Sequence, residues 1–325
     1  MAVDTEPHAG SAASVATTTA RAESADSPAP AGLRTSALVG LLLALVATVV
    51  WSGSFVTSRA LHDTVPPVQH AFWRWIIAIV AVAPFAARAA WRQRALIRRH
   101  FGFLSLAAFL GVAVYNTLVN QAGVTTPAGT MGMIMAASPV LMALGERLGG
   151  TRLGARRVTG LAIACAGVLL LTVGGGSGTS LGSGALWMAG AAVSFGSYSA
   201  LLRRRPAELA GSVVLLTTFV LGALMLAPVY AVSLATQGGF QVTTGTGLPL
   251  LYVGVCSSAL AFFAWNRAIA VIGAARAGLV YYLQPVCVAL LSAVLLAETT
   301  GPLQWLCMAL ILGGVAFGTT TTRTR

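Results

Sequence analysis

The chain has 325 residues, 57% of them hydrophobic and only 9% charged, against about 25% charged in soluble domains. So apolar a chain cannot cover a water-facing surface and belongs in a bilayer. The net charge of +12 comes from arginines set in short clusters between apolar runs, which is a topology pattern and excludes a nucleic-acid-binding face.

Residues 1–35 are rich in Ala, Ser, Thr and Pro and carry Asp4, Glu6, Glu23 and Asp26. They lack the basic start and apolar core of a signal peptide and read as a disordered cytoplasmic tail. Ten apolar runs follow, at about 38–60, 68–90, 101–123, 127–150, 157–174, 182–202, 210–235, 248–270, 274–297 and 302–320. Each is close to the ~20 residues that cross a bilayer as a helix. Pro66 and Pro67 open the second run, and Thr126 is the expected N-cap of the fourth, which starts at Pro127. Gly174 to Gly178 ends the fifth and lacks the Lys-Ser/Thr of a phosphate-binding loop. Cys165, Cys256, Cys287 and Cys307 lie inside apolar runs without paired spacing, so they read as small buried hydrophobes, with no disulfide framework or metal site.

The arginines test this count independently of hydropathy. Those between runs two and three, four and five, six and seven, and eight and nine, with those before the first run and after the tenth, all fall on one face of a ten-span chain. The other face has Arg59, and Arg74 lies inside the second run. The positive-inside rule then puts both termini in the cytoplasm of a multi-pass protein of the cell membrane.

The chain also repeats itself. Asn120 and Pro139 have the same separation as Asn266 and Pro285, with Ala128 and Gly132 answering Ala274 and Gly278 between them. Gly53-Ser54-Phe55 answers Gly196-Ser197-Tyr198, and Gly167-Val168 answers Gly314-Val315. An odd number of spans per copy inverts the second relative to the first, which is the architecture of many secondary transporters. The expected fold is therefore all-α and integral to the membrane, with ten transmembrane helices in two inverted five-helix repeats, about 36–176 and 180–320.

Trp51 to Phe55, Phe72 to Trp75, Ser138-Pro139, Gly160 to Val168, Gln284-Pro285 and Gly313 to Val315 stand in an order and spacing that resembles the drug/metabolite transporter superfamily, in its ten-helix type with two EamA domains. The resemblance covers about residues 36–320 and implies a transporter without a cofactor. One departure concerns a Gly-Glu-Arg-Leu segment that such domains often place about thirteen residues after the proline of the fourth helix. Here Gly145 to Leu148 comes earlier, Arg152 stands at that offset from Pro139, and Glu298 at the same offset from Pro285. The spacing leaves open whether Glu146 lies within the fourth helix or at its end.

Polar groups deep in a span are expensive and mark candidate pathways. Arg74 sits about seven residues into the second run, roughly 10 Å along a helix, with His70 one turn away on the same face. Together they suit a carboxylate or phosphate, with a structural arginine that caps carbonyls or pairs a lipid headgroup as the alternative. Tyr115, Asn116 and Asn120 on the third run suit uncharged hydrogen bonding, with an interhelical clamp as the alternative. Asn266, the repeat mate of Asn120, lies nearer the arginine-rich end. Trp51, Tyr198, Tyr281, Tyr282 and Gln284 are further cavity candidates, with ordinary packing as the competing role. Pro139 and Pro285 read as hinges that break helices four and nine. Glu146 and Glu298 are candidate proton carriers, though both lie near helix ends.

These readings converge on a secondary transporter of a small organic solute, an exporter working by alternating access, with a proton or other ion as its coupling partner. An intramembrane enzyme acting on a lipid-linked substrate is the alternative, but it needs a catalytic dyad or metal cluster, and the runs carry neither HExxH nor an Asp-rich motif. A sensor or scaffold would normally carry a sizeable soluble domain.

Overall fold

A computed structural model describes residues 31–136, 138, 154–174, 183–202, 204–272, 277 and 280–319. Each of the ten expected positions carries a helix: α1 Ala31–Ala60, α2 Pro67–Arg92, α3 Phe101–Thr125, α4 Ala128–Ala136, α5 Ala155–Gly174, α6 Ser183–Leu202, α7 Gly211–Gln237, α8 Thr244–Ile272, α9 Gln284–Leu296 and α10 Pro302–Thr319. A six-residue helix, Arg94–Arg99, links α2 to α3. Helices 1, 2, 3, 6, 7 and 8 are long and apolar enough to cross a membrane, and α5, α9 and α10 contain shorter apolar stretches. Large apolar side chains face outward, Phe85 at 86% and Val294 at 80% exposure. Only lipid accommodates so much exposed hydrocarbon without aggregation.

Several ends differ from expectation for identifiable reasons. The eighth helix starts at Thr244, because Thr243 and Thr246 form a reciprocal capping box. Thr126 does not cap α4. The first N–H of that helix, on Ala128, donates instead to Glu298 Oε2 at 3.0 Å, while the Thr126 side chain packs against Gly184 of α6. The ninth helix is discontinuous, with a turn at Tyr282 and Leu283 before α9 proper. Pro285 therefore stands in the first turn of a new helix, where its missing N–H breaks no helical hydrogen bond. Pro139 and Glu146 lie outside the described residues. Cys165 is exposed rather than buried, Cys256 and Cys287 are half-buried, and Cys307 is buried.

Helix packing follows the repeat. Self-related pairs α2 with α7, α4 with α9 and α5 with α10 are in contact. So are the related couples α1–α8 and α6–α3, α1–α9 and α6–α4, and α2–α8 and α7–α3. In the α5–α10 pair, a Cβ on Gly160 or Gly314 would strike the other helix's backbone. Backbones meet there because no side chain intervenes, and such close approach drives helix association in lipid.

Two helices depart from α geometry at repeat-related places. Phe109–Val114 in α3 and Tyr252–Leu260 in α8 are π-helical. A π stretch disturbs the i→i−4 ladder, and side chains serve its carbonyls. In α3, the carbonyls of Leu110, Gly111 and Val112 accept from Ser194, Asn116 and Trp75 at 2.8, 3.3 and 3.2 Å. In α8, Val253 accepts from Ser258 at 2.8 Å and Ser257 from the Trp51 indole at 3.0 Å.

Candidate functional site

The π stretch of α8 faces α2 and there meets Arg74. Arg74 is buried at 7% exposure. Its Nε donates to Ser258 Oγ and its Nη2 to Ser257 Oγ, both at 3.2 Å. Both serines are fully buried. Ser257 Oγ also lies 2.6 Å from Ser54 Oγ of α1. The guanidinium stands 5.3 Å from the Trp75 ring. A Cβ on Gly254 would collide with Ile77, so the absence of a side chain there lets α8 approach α2 closely enough for its serines to reach Arg74.

Among the described residues Arg74 has no counter-charge. The described acids Asp63, Glu208 and Glu298 are each engaged in other ion pairs, and among the described residues Arg74 forms none. Two of its five N–H groups are accounted for by the serines. His70, one turn away, is buried with its Nε2 unpaired. Tyr115 of α3 and Tyr252 of α8 lie within electrostatic reach of the guanidinium, and the Tyr252 hydroxyl donates to the Val50 carbonyl of α1 at 2.7 Å.

An aromatic cluster adjoins this polar cradle through Ser257. Trp51, whose indole binds the Ser257 carbonyl, packs against Phe262, Trp265 and Tyr281 with ring centroids 5.3, 5.3 and 5.9 Å away. The Gln284 carbonyl accepts from Ser52 Oγ at 3.3 Å. The discontinuity of the ninth helix thus faces α1 beside the cluster. Lone-standing cation, neutral hydroxyls and aromatic surface come from α1, α2 and α3 of one half and α8 and α9 of the other.

The structure disperses the remaining candidates. Asn120 accepts from Ser58 Oγ at 2.7 Å and donates to the Pro67 carbonyl at 3.1 Å, tying α1, α2 and α3 together near the arginine-poor face. Asn116 serves the π stretch of its own helix. The Tyr198 ring packs on Gly111 of α3. Tyr282 lies half-buried in the ninth-helix turn, and Asn266 is exposed. Glu298 pairs with Arg59 at 3.0 Å. Nothing in the sequence singles out Ser257 and Ser258. Their signal is a Ser-Ser pair inside an apolar run, which becomes informative only when a partner is known. Among the described residues no group of three or more His, Cys, Asp and Glu side chains gathers as a metal site.

Comparison with known proteins agrees with the architecture. The model of the EamA-like transporter family matches residues 38–173 and again 182–320. A relative from Streptantibioticus cattleyicolor, named "Probable terminal-alkyne amino-acid exporter", is 29% identical over 84% of this chain and 91% of its own. The transporter YdfC of Bacillus subtilis is 26% identical over 82% of this chain and 87% of its own. The inner membrane transporter YedA of Escherichia coli is 26% identical over 87% and 90%. A solved crystal structure, 24% identical, covers 88% of this chain and 96% of its own with a TM-score of 0.59, and supports the fold alone. A twice-matched family model, two related sets of helix contacts and lipid-facing apolar surfaces describe one kind of molecule: this chain is a multi-pass membrane protein, a transporter rather than an enzyme, and belongs to the EamA-like transporter family.

Proposed function

We propose that the chain is a secondary exporter of small organic solutes carrying a carboxylate and an apolar or aromatic body. The single observation behind this reading is Arg74, which has no counter-charge among the described residues. A charge at this depth costs several kcal/mol unless something offsets it, and two serine hydroxyls are neutral acceptors. A carboxylate with two oxygens fits the unused edge of the guanidinium and supplies the missing charge. The aromatic cluster through Ser257 offers an apolar body a surface next to the anion. The name of the S. cattleyicolor relative agrees with an amino-acid-like solute.

Transport follows from alternating access. The site draws on both halves, so a movement of one half against the other exposes it to each face in turn. The arginine distribution makes the arginine-rich face cytoplasmic, and export runs from there to the opposite side. The halves that move are the repeats about 36–176 and 180–320. The breaks at Tyr282 and in the π stretches are where the helices have least ladder to lose, and Pro285 at the start of α9 marks one such pivot.

The test is a thermal-shift panel on purified protein, pairing each carboxylate with its amide and its alcohol. A ligand at one hundred times its Kd stabilises by about 2.7 kcal/mol. Carboxylates should raise the melting temperature and their neutral partners should not. Equal shifts from acid and amide would remove Arg74 from the binding event. Uptake of a binding carboxylate into inside-out vesicles then tests direction.

A further inference from the structure

A second charged cluster lies on the arginine-poor face. Arg59, in the last turn of α1, donates from Nε to Glu298 Oε1 at 3.0 Å and from Nη1 to the carbonyls of Gly123 and Val124 at 3.0 and 3.2 Å. Those carbonyls belong to the last turn of α3, where a helix exposes unsatisfied acceptors and a negative dipole end. The other carboxylate oxygen, Glu298 Oε2, accepts from the first N–H of α4 at 3.0 Å, where a helix presents unsatisfied donors and a positive end. One arginine and one glutamate therefore fasten the ends of α1, α3 and α4 from the first half to α9 from the second. Each charge also satisfies the helix end of opposite sign.

The backbone is shaped for this contact. Ala297, immediately before Glu298, has φ of 54° and is the one non-glycine residue with positive φ among those described. An alanine adopts this region only at a cost, and such outliers collect where a structure serves a function. Here the turn ends α9 and carries Glu298 back toward Arg59, with the Glu298 N–H bonded to the Ser292 carbonyl at 3.3 Å. The Arg59 and Glu298 side chains retain 26% and 19% exposure. Neither side chain is sealed inside the protein, so the two can part without leaving bare charges in a dry interior.

We propose that Arg59 and Glu298 form the outer gate of the transport cycle, closed while solute loads from the arginine-rich face and parted to release it on the other. This rests on the transporter reading but not on Arg74 as the binding residue. Two inverted repeats would be expected to offer an equivalent clasp on both faces. The repeat mate of Arg59 is Leu202 and that of Glu298 is Arg152, and these two cannot form an ion pair. On the arginine-rich face, Glu208 approaches Arg99 and His100 at 3.9 and 3.7 Å. That acid is exposed and joins the α2–α3 and α6–α7 connections, not the ends of α1, α3, α4 and α9. Among the described residues the clasp is thus one-sided. It favours closure of the arginine-poor face in the empty carrier and leaves the site available to solute from the cytoplasm, which is the resting bias an exporter requires.

The experiment uses the full chain in proteoliposomes, in a transport-competent background whose four cysteines are replaced. Thr57→Cys, buried behind the clasp on α1, is labelled with a membrane-impermeant maleimide from the arginine-poor side. Glu298→Gln and Arg59→Gln should each speed labelling by about tenfold, the expected scale for losing a hydrogen-bonded charge pair. The solute-induced thermal shift should persist, because the binding cradle is untouched. The charge swap Arg59→Glu with Glu298→Arg should not restore slow labelling, since each charge would then face a helix end of its own sign. A second measurement does not depend on the stability of these variants. In Arg59→Cys with Glu298→Cys, a short thiol–thiol crosslinker should stop transport reversibly while solute still binds. Unchanged labelling in folded Glu298→Gln, or full transport by the crosslinked pair, overturns the gate. Failure of the unmodified protein to transport any binding solute would instead refute the exporter reading, with the labelling result standing by itself.

Discussion

Replacing Arg74 with glutamine separates a binding cation from a structural one by the sign of two effects. In the structure the guanidinium makes two hydrogen bonds, both to neutral hydroxyls at 3.2 Å, and its remaining N–H groups are those the proposed solute would use. A carboxylate bound through two charge-assisted hydrogen bonds at about 1.5–3 kcal/mol each would lose about 3–6 kcal/mol on Arg74→Gln, more than a hundredfold in affinity. The empty protein should behave oppositely. An arginine costs about 2.5–3.5 kcal/mol at the centre of a span on insertion scales, an upper bound for Arg74 at about 10 Å from the helix start, and a glutamine amide can still donate to Ser257 or Ser258. The empty variant should therefore melt no lower than the parent. Melting curves with and without a saturating carboxylate give both numbers in one assay, and transport should be lost in parallel. Arg74→Lys should fall between, because a single ammonium cannot hold two serines and both carboxylate oxygens in one plane. If Arg74→Gln melted well below the parent when empty and still showed the full solute-induced shift, Arg74 would be a clamp between α2 and α8, and the proposed site would be wrong.

Other consequences are equally direct. Gly314→Val drives a branched side chain into the backbone of α5 at Gly160 and Ala164; it should cost about 1–3 kcal/mol or more, read as a lower melting temperature without any change in solute preference. Ala297→Gly relieves the left-handed φ of 54° and should stabilise by up to about 1 kcal/mol once glycine's added chain entropy is subtracted; no change in melting, or a decrease, refutes this. Tyr252→Phe removes the 2.7 Å bond to Val50 and should cost only about 0.6 kcal/mol, the average for interhelical hydrogen bonds in membranes; a loss of several kcal/mol would mean that the α1–α8 contact depends on it. Single cysteines at Val242, which is 82% exposed, and at Arg94 or Arg204 should label from opposite faces, Val242 from outside, and labelling of any of them from the wrong side would reverse the topology.

The site was only partly legible in the sequence because its recognition depends on partners far apart in the chain. Arg74 stands out alone, since a charge within an apolar run is rare for a physical reason. Asn120 and Asn116 stand out for the same reason, yet the fold spends their hydrogen bonds on Ser58, Pro67 and the Gly111 carbonyl. Ser257 and Ser258 are inconspicuous, because a serine in a membrane helix ordinarily bonds its own backbone. They acquire a role only because a π stretch and Gly254 bring them against α2. Arg59 was visible as the exceptional arginine on its face and Glu298 as an acid at a helix end. Nothing in their spacing, 239 residues apart, connects them.

The sequence by itself determined the membrane environment, the ten apolar segments, the duplication and the bias of arginine to one face. These properties depend on composition and on short-range periodicity, which the bilayer reads segment by segment. Tertiary structure decided where helices break, which polar groups meet, and which charges remain without a partner. The π stretches of α3 and α8 persist because side chains from α1, α2 and α6, together with groups on the same helices, serve their carbonyls. The ninth helix divides at Tyr282, with Pro285 opening its second part and Ser52 of α1 bonded to the Gln284 carbonyl. Among the described residues Arg74 has no acid beside it, and Asp63, Glu208 and Glu298 lie against other basic side chains. Each of these outcomes is a competition among groups distant in the chain, and only the packed helices settle it.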